Sequence, residues 1–349
     1  MKKFMLFAAM ASVVLTSCVN EDMEVMESAS KKAISFDMPV MKPTRAAGEI
    51  DGTTYPTDET FKVFCKSYTG TYADWTAGAD YFAAAGEDVA YNGSKWSTAT
   101  VHYWPELGNN LAFAAYSPAT ASGTFAQTQT GLTITGFSTQ DDVANQYDLM
   151  YTPRVIDLDK NDAGTDVPLV FKHALTSVVF KATKTDADAT YKIISLTVNG
   201  KVSTTGDFNQ NILTPAELDG TPVWTPETAT DMTYSILSGK NIDVAQAGTD
   251  LTGVGSTAGA STALLLIPQG VDANTTVTIT YTKTTGGNSL NASATINLID
   301  FVDGSSNKVN TWVMGNRYIY NIIFGANKPI YFNPSVADWT DVALSYTIE

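Results

Sequence analysis

Apolar residues recur at every second position along most of the chain, and no stretch sustains a helical period. The alternation is plain in LAFAAY at 111–116, LTITGF at 132–137, TSVVFKA at 176–182, YKIISLTVNG at 191–200 and TTVTITYTK at 275–283. Successive side chains of a strand point to opposite faces, so a period of two sorts them into a buried side and a wet side. Thr, Val, Ile and Tyr dominate these runs, as half-buried pleated surfaces favour. Gly, Asn, Asp and Pro break the pattern at short intervals. The expectation is an all-β chain built as antiparallel β-sandwiches.

The chain has 349 residues, of which 44% are hydrophobic, enough for two cores of ordinary size. The best boundary is VIDLDKNDAGTDVPL at 155–169, which is polar and rich in Asp and reads as a solvated linker. A division near residue 166 gives an N-terminal sandwich over 46–166 and a C-terminal one over 167–349. The glycine-rich run TGVGSTAGAST at 252–262 reads as a loop inside the second.

The first residues belong to export. Lys2 and Lys3 precede an apolar run, Phe4 to Leu15, that is too short to span a bilayer. Leu15-Thr16-Ser17-Cys18 then resembles a bacterial lipobox. Residues 1–17 read as a lipoprotein signal, with Cys18 carrying lipid and holding the protein to the outer membrane. The acidic run VNEDMEVMES that follows reads as a solvated tether. With Cys18 acylated, Cys65 has no partner for a disulfide, and its strand position makes it a small buried apolar residue.

The formal net charge of −15 repels phosphate backbones and excludes nucleic acid as a partner. Only two histidines occur, His102 and His173, and neither has a second His or Cys at metal-ligand spacing. Each reads as a strand or turn residue with a hydrogen-bonded ring. Asp157, Asp159 and Asn161 begin like a calcium loop, but Pro168 stands where the bidentate glutamate belongs. No Gly-x-Ser-x-Gly, phosphate-binding loop or Cys-x-x-Cys is present. The sequence therefore argues for no metal, no cofactor, no catalytic residue and no enzyme.

Two terminal stretches stand apart. In KKAISFDMPVMKPTRAAGE at 31–49, Ile34, Phe36, Met38 and Val40 alternate with Ser35, Asp37 and Pro39. This strand ends in a short run of small residues around Arg45. At the other end, DVALSYTIE places Val342, Leu344, Tyr346 and Ile348 on one face and Ala343, Ser345 and Thr347 on the other.

Several segments together resemble one family. HYWPELGNNLAFAAYSP at 102–118 is similar to the fimbrillin pattern of Tyr-Trp-Pro followed by Phe-x-Ala-Tyr-x-Pro. YDLMYT at 147–152, VPLVFKHALTSVVFKA at 167–182, LLLIPQ at 264–269, MGNRYIYNIIF at 314–324 and IYFNPSVADW at 330–339 follow in the expected order. The chain resembles a Bacteroidetes fimbrillin, the subunit of type V pili. The resemblance implies two tandem sandwich domains of transthyretin-like topology and cutting by an arginine-specific protease, here between Arg45 and Ala46. It also implies assembly with copies of itself or related pilins by strand exchange.

In physical terms, a cut after Arg45 frees the strand at 33–41. Its departure leaves an apolar groove with an unpaired edge, which accepts a strand from another subunit. The tail at 342–348 is the candidate donor. The alternatives are a permanent edge strand at 33–41 and a tail that completes its own domain. At the level of function, they are a tip or accessory adhesin, or a non-pilus surface lipoprotein that binds a host protein or glycan.

Overall fold

The computed structural model describes residues 32–37, 40–41, 50, 55–72, 78–252, 262–302, 307–325 and 340–348. All of them lie in the unit Lys32–Glu349. Among the described residues there is no α-helix, only short 3-10 turns between strands, so the chain is all-β.

Five strands position the site: Phe36–Asp37 (β1), Trp96–Thr98 (β2), Val167–Pro168 (β3), Asn316–Phe324 (β4) and Thr340–Ile348 (β5). The first sheet runs in the order β3, β1, β2, Glu87–Tyr91, Phe61–Tyr68, Asn110–Ser117, Met150–Tyr151 and Lys172–His173. Alternation in Phe61–Tyr68 sends Phe61, Val63 and Cys65 into one core, with Ile34, Phe36, Trp96, Phe113 and Val167 beside them. The opposite face sends Phe64 and Tyr116 into a second core with Leu132, Ile134, Phe137 and Phe208. That core also receives the second sheet, ordered Val223–Pro226, Thr205–Asn209, Gly131–Ser138 and Thr124–Thr128.

The third sheet is Thr249–Asp250, Thr176–Lys184, β4 and β5, and the fourth is Thr230–Leu237, Ala189–Val202, Thr276–Thr285 and Asn288–Asn297. Between them lies the largest core, which includes Phe180, Tyr191, Leu196, Ile279, Tyr320 and Phe324. The long Ala189–Val202 strand pairs antiparallel with both of its main neighbours in the fourth sheet.

Two features differ from the sequence reading. The pairing is not wholly antiparallel: β1 with β3, Thr176–Lys184 with β4, and β4 with β5 are parallel. Period-two alternation sets a face and carries no information about direction. The sheets also cross residue 166 in both directions. β3 and Lys172–His173 lie in the first sheet, while Thr205–Asn209 pairs with Gly131–Ser138.

The stretch 155–169 is likewise structured and not a solvated linker. Val155–Leu158 pairs with Asn110–Ser117, and Asp159 and Asp162 form a capping box around a 3-10 turn. Asp157, at φ 58°, accepts hydrogen bonds from the Tyr68 hydroxyl at 2.8 Å and the Tyr72 N–H at 2.9 Å. Asp159 and Asp162 bond within their own turn, while Asp157 bonds across the sheet, so carboxylates that give the stretch the polarity of a loop are engaged in the fold.

Candidate functional site

The site begins with how little chain holds β1 and how deeply it sits. Ile34 is 4% exposed and Phe36 is 1% exposed. The Phe36 ring meets Phe61 and Phe113 edge-on, each at a centroid distance of 6.1 Å and an interplanar angle of 84°. Burying these two side chains contributes about 1.5–3 kcal/mol each. Alternation turns Ser35, between them, to the other face, where it is also buried. Ser35 is bonded to the Asp166 carboxylate and receives the Lys95 ammonium at 3.4 Å.

The backbone of this segment is tied on both flanks. On one side Ile34 N–H donates to the His102 carbonyl at 2.8 Å, Trp104 N–H donates to the Lys32 carbonyl at 3.2 Å, and Phe36 pairs with Trp96. On the other, Val167 N–H donates to the Ser35 carbonyl at 2.8 Å and Leu169 N–H to the Asp37 carbonyl at 3.2 Å. β1 is therefore an inserted strand. Taking it out opens a slot with a ladder edge on each wall and the Phe61–Phe113 core as its floor.

The chain beyond the arginine run is held independently of β1. Ile50 N–H donates to the buried Asp148 carboxylate at 3.1 Å, and the same carboxylate oxygen pairs with His173 Nδ1 at 2.8 Å. Tyr55 stacks on Phe171 at 5.3 Å, and its hydroxyl shares a 2.6 Å hydrogen bond with Ser117. Burial pushes the Tyr55 hydroxyl well above its ordinary value. Val40–Met41 pairs in parallel with Tyr55–Pro56, so the two ends of the run that contains Arg45 lie side by side. A cut between them leaves the downstream end fixed by Asp148 and Ser117.

The tail is placed quite differently. β5 pairs in parallel with β4 over nine residues, Asn316 with Thr340 through Phe324 with Ile348. It is the outermost strand of its sheet. The register sets Val342, Leu344, Tyr346 and Ile348 level with Tyr318, Tyr320, Ile322 and Phe324, the β4 residues that enter the largest core.

Of the residues singled out from sequence, Ile34 and Phe36 come together in the slot, Val40 pairs with Tyr55 outside it, and the four tail residues lie in β5. Cys18, Met38, Arg45 and Ala46 lie outside the described residues. Cys65 is a free, buried thiol on the slot floor, and burial pushes its pKa well up. His102 pairs with Glu87 at 2.8 Å. Among the described residues no group of three or more His, Cys, Asp or Glu side chains could hold a metal ion. Sequence reasoning missed the Ser35–Asp166–Lys95 cluster. Its one signal is the outward parity of Ser35, which says nothing about partners more than 50 residues away.

Comparison with known proteins fits this fold. A fimbrial protein of Bacteroides vulgatus superposes with a TM-score of 0.50 at 14% identity, covering 84% of this chain and 95% of its own. A proposed cell adhesion protein of Bacteroides uniformis gives a TM-score of 0.46 at 17% identity, covering 90% of this chain and 99% of its own. No curated protein matches by sequence. The fimbrillin-like family profile matches residues 44–339, which begins after β1 and stops just before β5. With that match spanning most of its length, the chain belongs to the fimbrillin-like family.

Proposed function

We propose that this chain is a pilus subunit that is exported as a lipoprotein on Cys18, cut between Arg45 and Ala46, and polymerised at the cell surface by strand exchange. The observation that carries the reading is the placement of Phe36. A core ring of the first sheet is encoded upstream of the arginine run, on the side of the chain that a cut removes. After the cut, Ile34 and Phe36 are held only by non-covalent contacts, and their loss opens a slot bounded by β2 and β3. Such a slot, apolar below and unpaired at both walls, binds an extended chain by β-augmentation. Val342, Leu344, Tyr346 and Ile348 supply apolar residues at the same period.

N-terminal sequencing of surface filaments sheared from cells tests this. Ala46 is the expected first residue, and Arg45→Ala is expected to leave uncut, lipid-bound protein and no filaments. Filaments that begin at residue 18 or 19 sink the proposal.

One observation favours a second reading, a tip or accessory subunit that accepts a strand and donates none. β5 is already paired along its length within its own sheet. Gold labelling of the pili with a specific antibody separates the two, along the shaft for a stalk subunit and at one end for a tip.

A further inference from the structure

We infer that folding decides which arginines of this chain a protease can use. Arg154 and Arg317 are sequestered by the fold, so an arginine-specific protease leaves the folded body whole and cuts the unfolded chain at every arginine. The inference rests on the cut after Arg45 proposed above, and it adds what confines that cut and what it discriminates.

The distribution of cations carries it. The 21 lysines and arginines include only three arginines, Arg45, Arg154 and Arg317. Among the described residues every lysine is exposed or half-buried, whereas both arginines are buried, Arg154 at 2% exposure and Arg317 at 8%. Lysine and arginine both keep a surface soluble, yet the described surface uses lysine alone. A protease that cuts after lysine therefore meets accessible side chains on this surface, and one that cuts after arginine meets none among the described residues.

A protease that selects arginine must draw the guanidinium into an acidic pocket and lay the flanking backbone along its cleft. Arg154 withholds both. Its Nη1 donates to the Gln129 carbonyl at 3.1 Å, and its Nη2 donates to the Thr214 and Pro215 carbonyls at 3.0 and 2.6 Å. The guanidinium lies over the Tyr72 ring, 4.2 Å from the centroid. The Arg154 backbone N–H donates to the Leu218 carbonyl at 2.8 Å. The carbonyls come from two separate connections, the turn at 129–130 and the loop at 213–219, so the side chain comes free only when both move away.

Arg317 is withheld by its backbone. It stands in β4 opposite Ser177 on one side and Asp341 on the other. A strand paired on both sides does not enter a cleft without opening the sheet, and removal of β5 still leaves the Ser177 side paired. Cleavage at such sites waits for the opening that exposes them and follows the population of the open form. A cut after Arg154 separates Met150–Tyr151 from Val155–Leu158, and a cut after Arg317 splits β4, so a subunit that opens in the presence of the protease is lost.

Timed digestion of the uncut full-length protein with an arginine-specific endoprotease, mapped by mass spectrometry, tests this. In native buffer the body from 46 to 349 is expected to persist after the cut at Arg45 is complete. In urea, with protease activity matched on a short arginine peptide, cuts after Arg154 and Arg317 are expected to be faster than in native buffer by about 10³-fold or more. Lys240→Arg places an arginine in the exposed turn at 238–241 without changing the charge, and it is expected to gain a native cut after residue 240. A smaller difference between native buffer and urea at Arg154 or Arg317 overturns the inference and leaves the cut at Arg45 standing. A Lys240→Arg body that resists also overturns it, because protection then does not come from the burial of arginine. A native digest that leaves Arg45 uncut overturns the proposed processing and leaves the sequestration of Arg154 and Arg317 standing.

Discussion

β1 and β5 are the two strands at the chain ends, and they are secured in opposite ways. β1 is two residues long, inserted between two partners and sealed by Ile34 and Phe36 in the core. β5 is nine residues long but has one partner strand among the described residues. Length is therefore a poor guide to how easily a strand leaves. Withdrawing β1 breaks ladders on both sides and empties a packed core site, whereas withdrawing β5 breaks one described ladder.

The largest effect is expected where the contrast is sharpest. Phe36→Ala in the uncut protein removes the ring held by Phe61 and Phe113, and such core truncations cost about 3–5 kcal/mol. Urea melts of the uncut protein check it. A loss below about 0.5 kcal/mol, the range of ordinary surface changes, breaks the claim that β1 closes the core.

Deleting residues 341–349 is expected to do much less to the monomer. Each backbone hydrogen bond contributes about 0.5–1.5 kcal/mol net, while ordering each residue of the strand costs about 1–2 kcal/mol. The ladder of β5 is thus close to break-even before side chains are considered. The truncated protein is expected to melt cooperatively with a midpoint near that of the parent, and to form no filaments. Loss of the cooperative transition instead makes β5 an integral strand and moves the case to the tip or accessory reading.

How much of this was legible follows from what alternation encodes. Ile34 and Phe36, like Val342 to Ile348, declare their face in the sequence, because one parity must be apolar wherever one side is buried. Their partners are not declared. Nothing in ALSYT specifies a parallel neighbour at 316–324, and nothing in ISFD specifies Val167, since backbone ladders are blind to side-chain identity. The stretch 155–169 misleads for the opposite reason. Asp157 stays exposed while it accepts hydrogen bonds from Tyr68 and Tyr72, and Val167 and Leu169 complete the core beneath β1, so a polar-looking run is part of the sheet. The burial of Cys65 was legible, because it shares a parity with Phe61 and Val63.

The smallest expected effect is the most discriminating. Ser35→Ala removes a hydroxyl that bonds to Asp166 and lies 3.4 Å from the Lys95 ammonium. Asp166 is exposed and can turn to water, so the loss to the uncut protein is expected at the lower end of the range for one hydrogen bond, about 0.5–1.5 kcal/mol. In the filament the same substitution is expected to do nothing, because under the proposed cut residue 35 has left with the removed segment. Asp166→Ala differs, since Asp166 stays with the body of the subunit. It is expected to weaken the uncut protein by an amount similar to Ser35→Ala, since it removes the same hydrogen bond. Thermal melts of uncut protein beside thermal dissociation of sheared filaments, for both variants, compare the four cases. A filament that responds to Ser35→Ala still contains β1, which means that the first strand is a permanent part of the fold and that any subunit contact is made elsewhere.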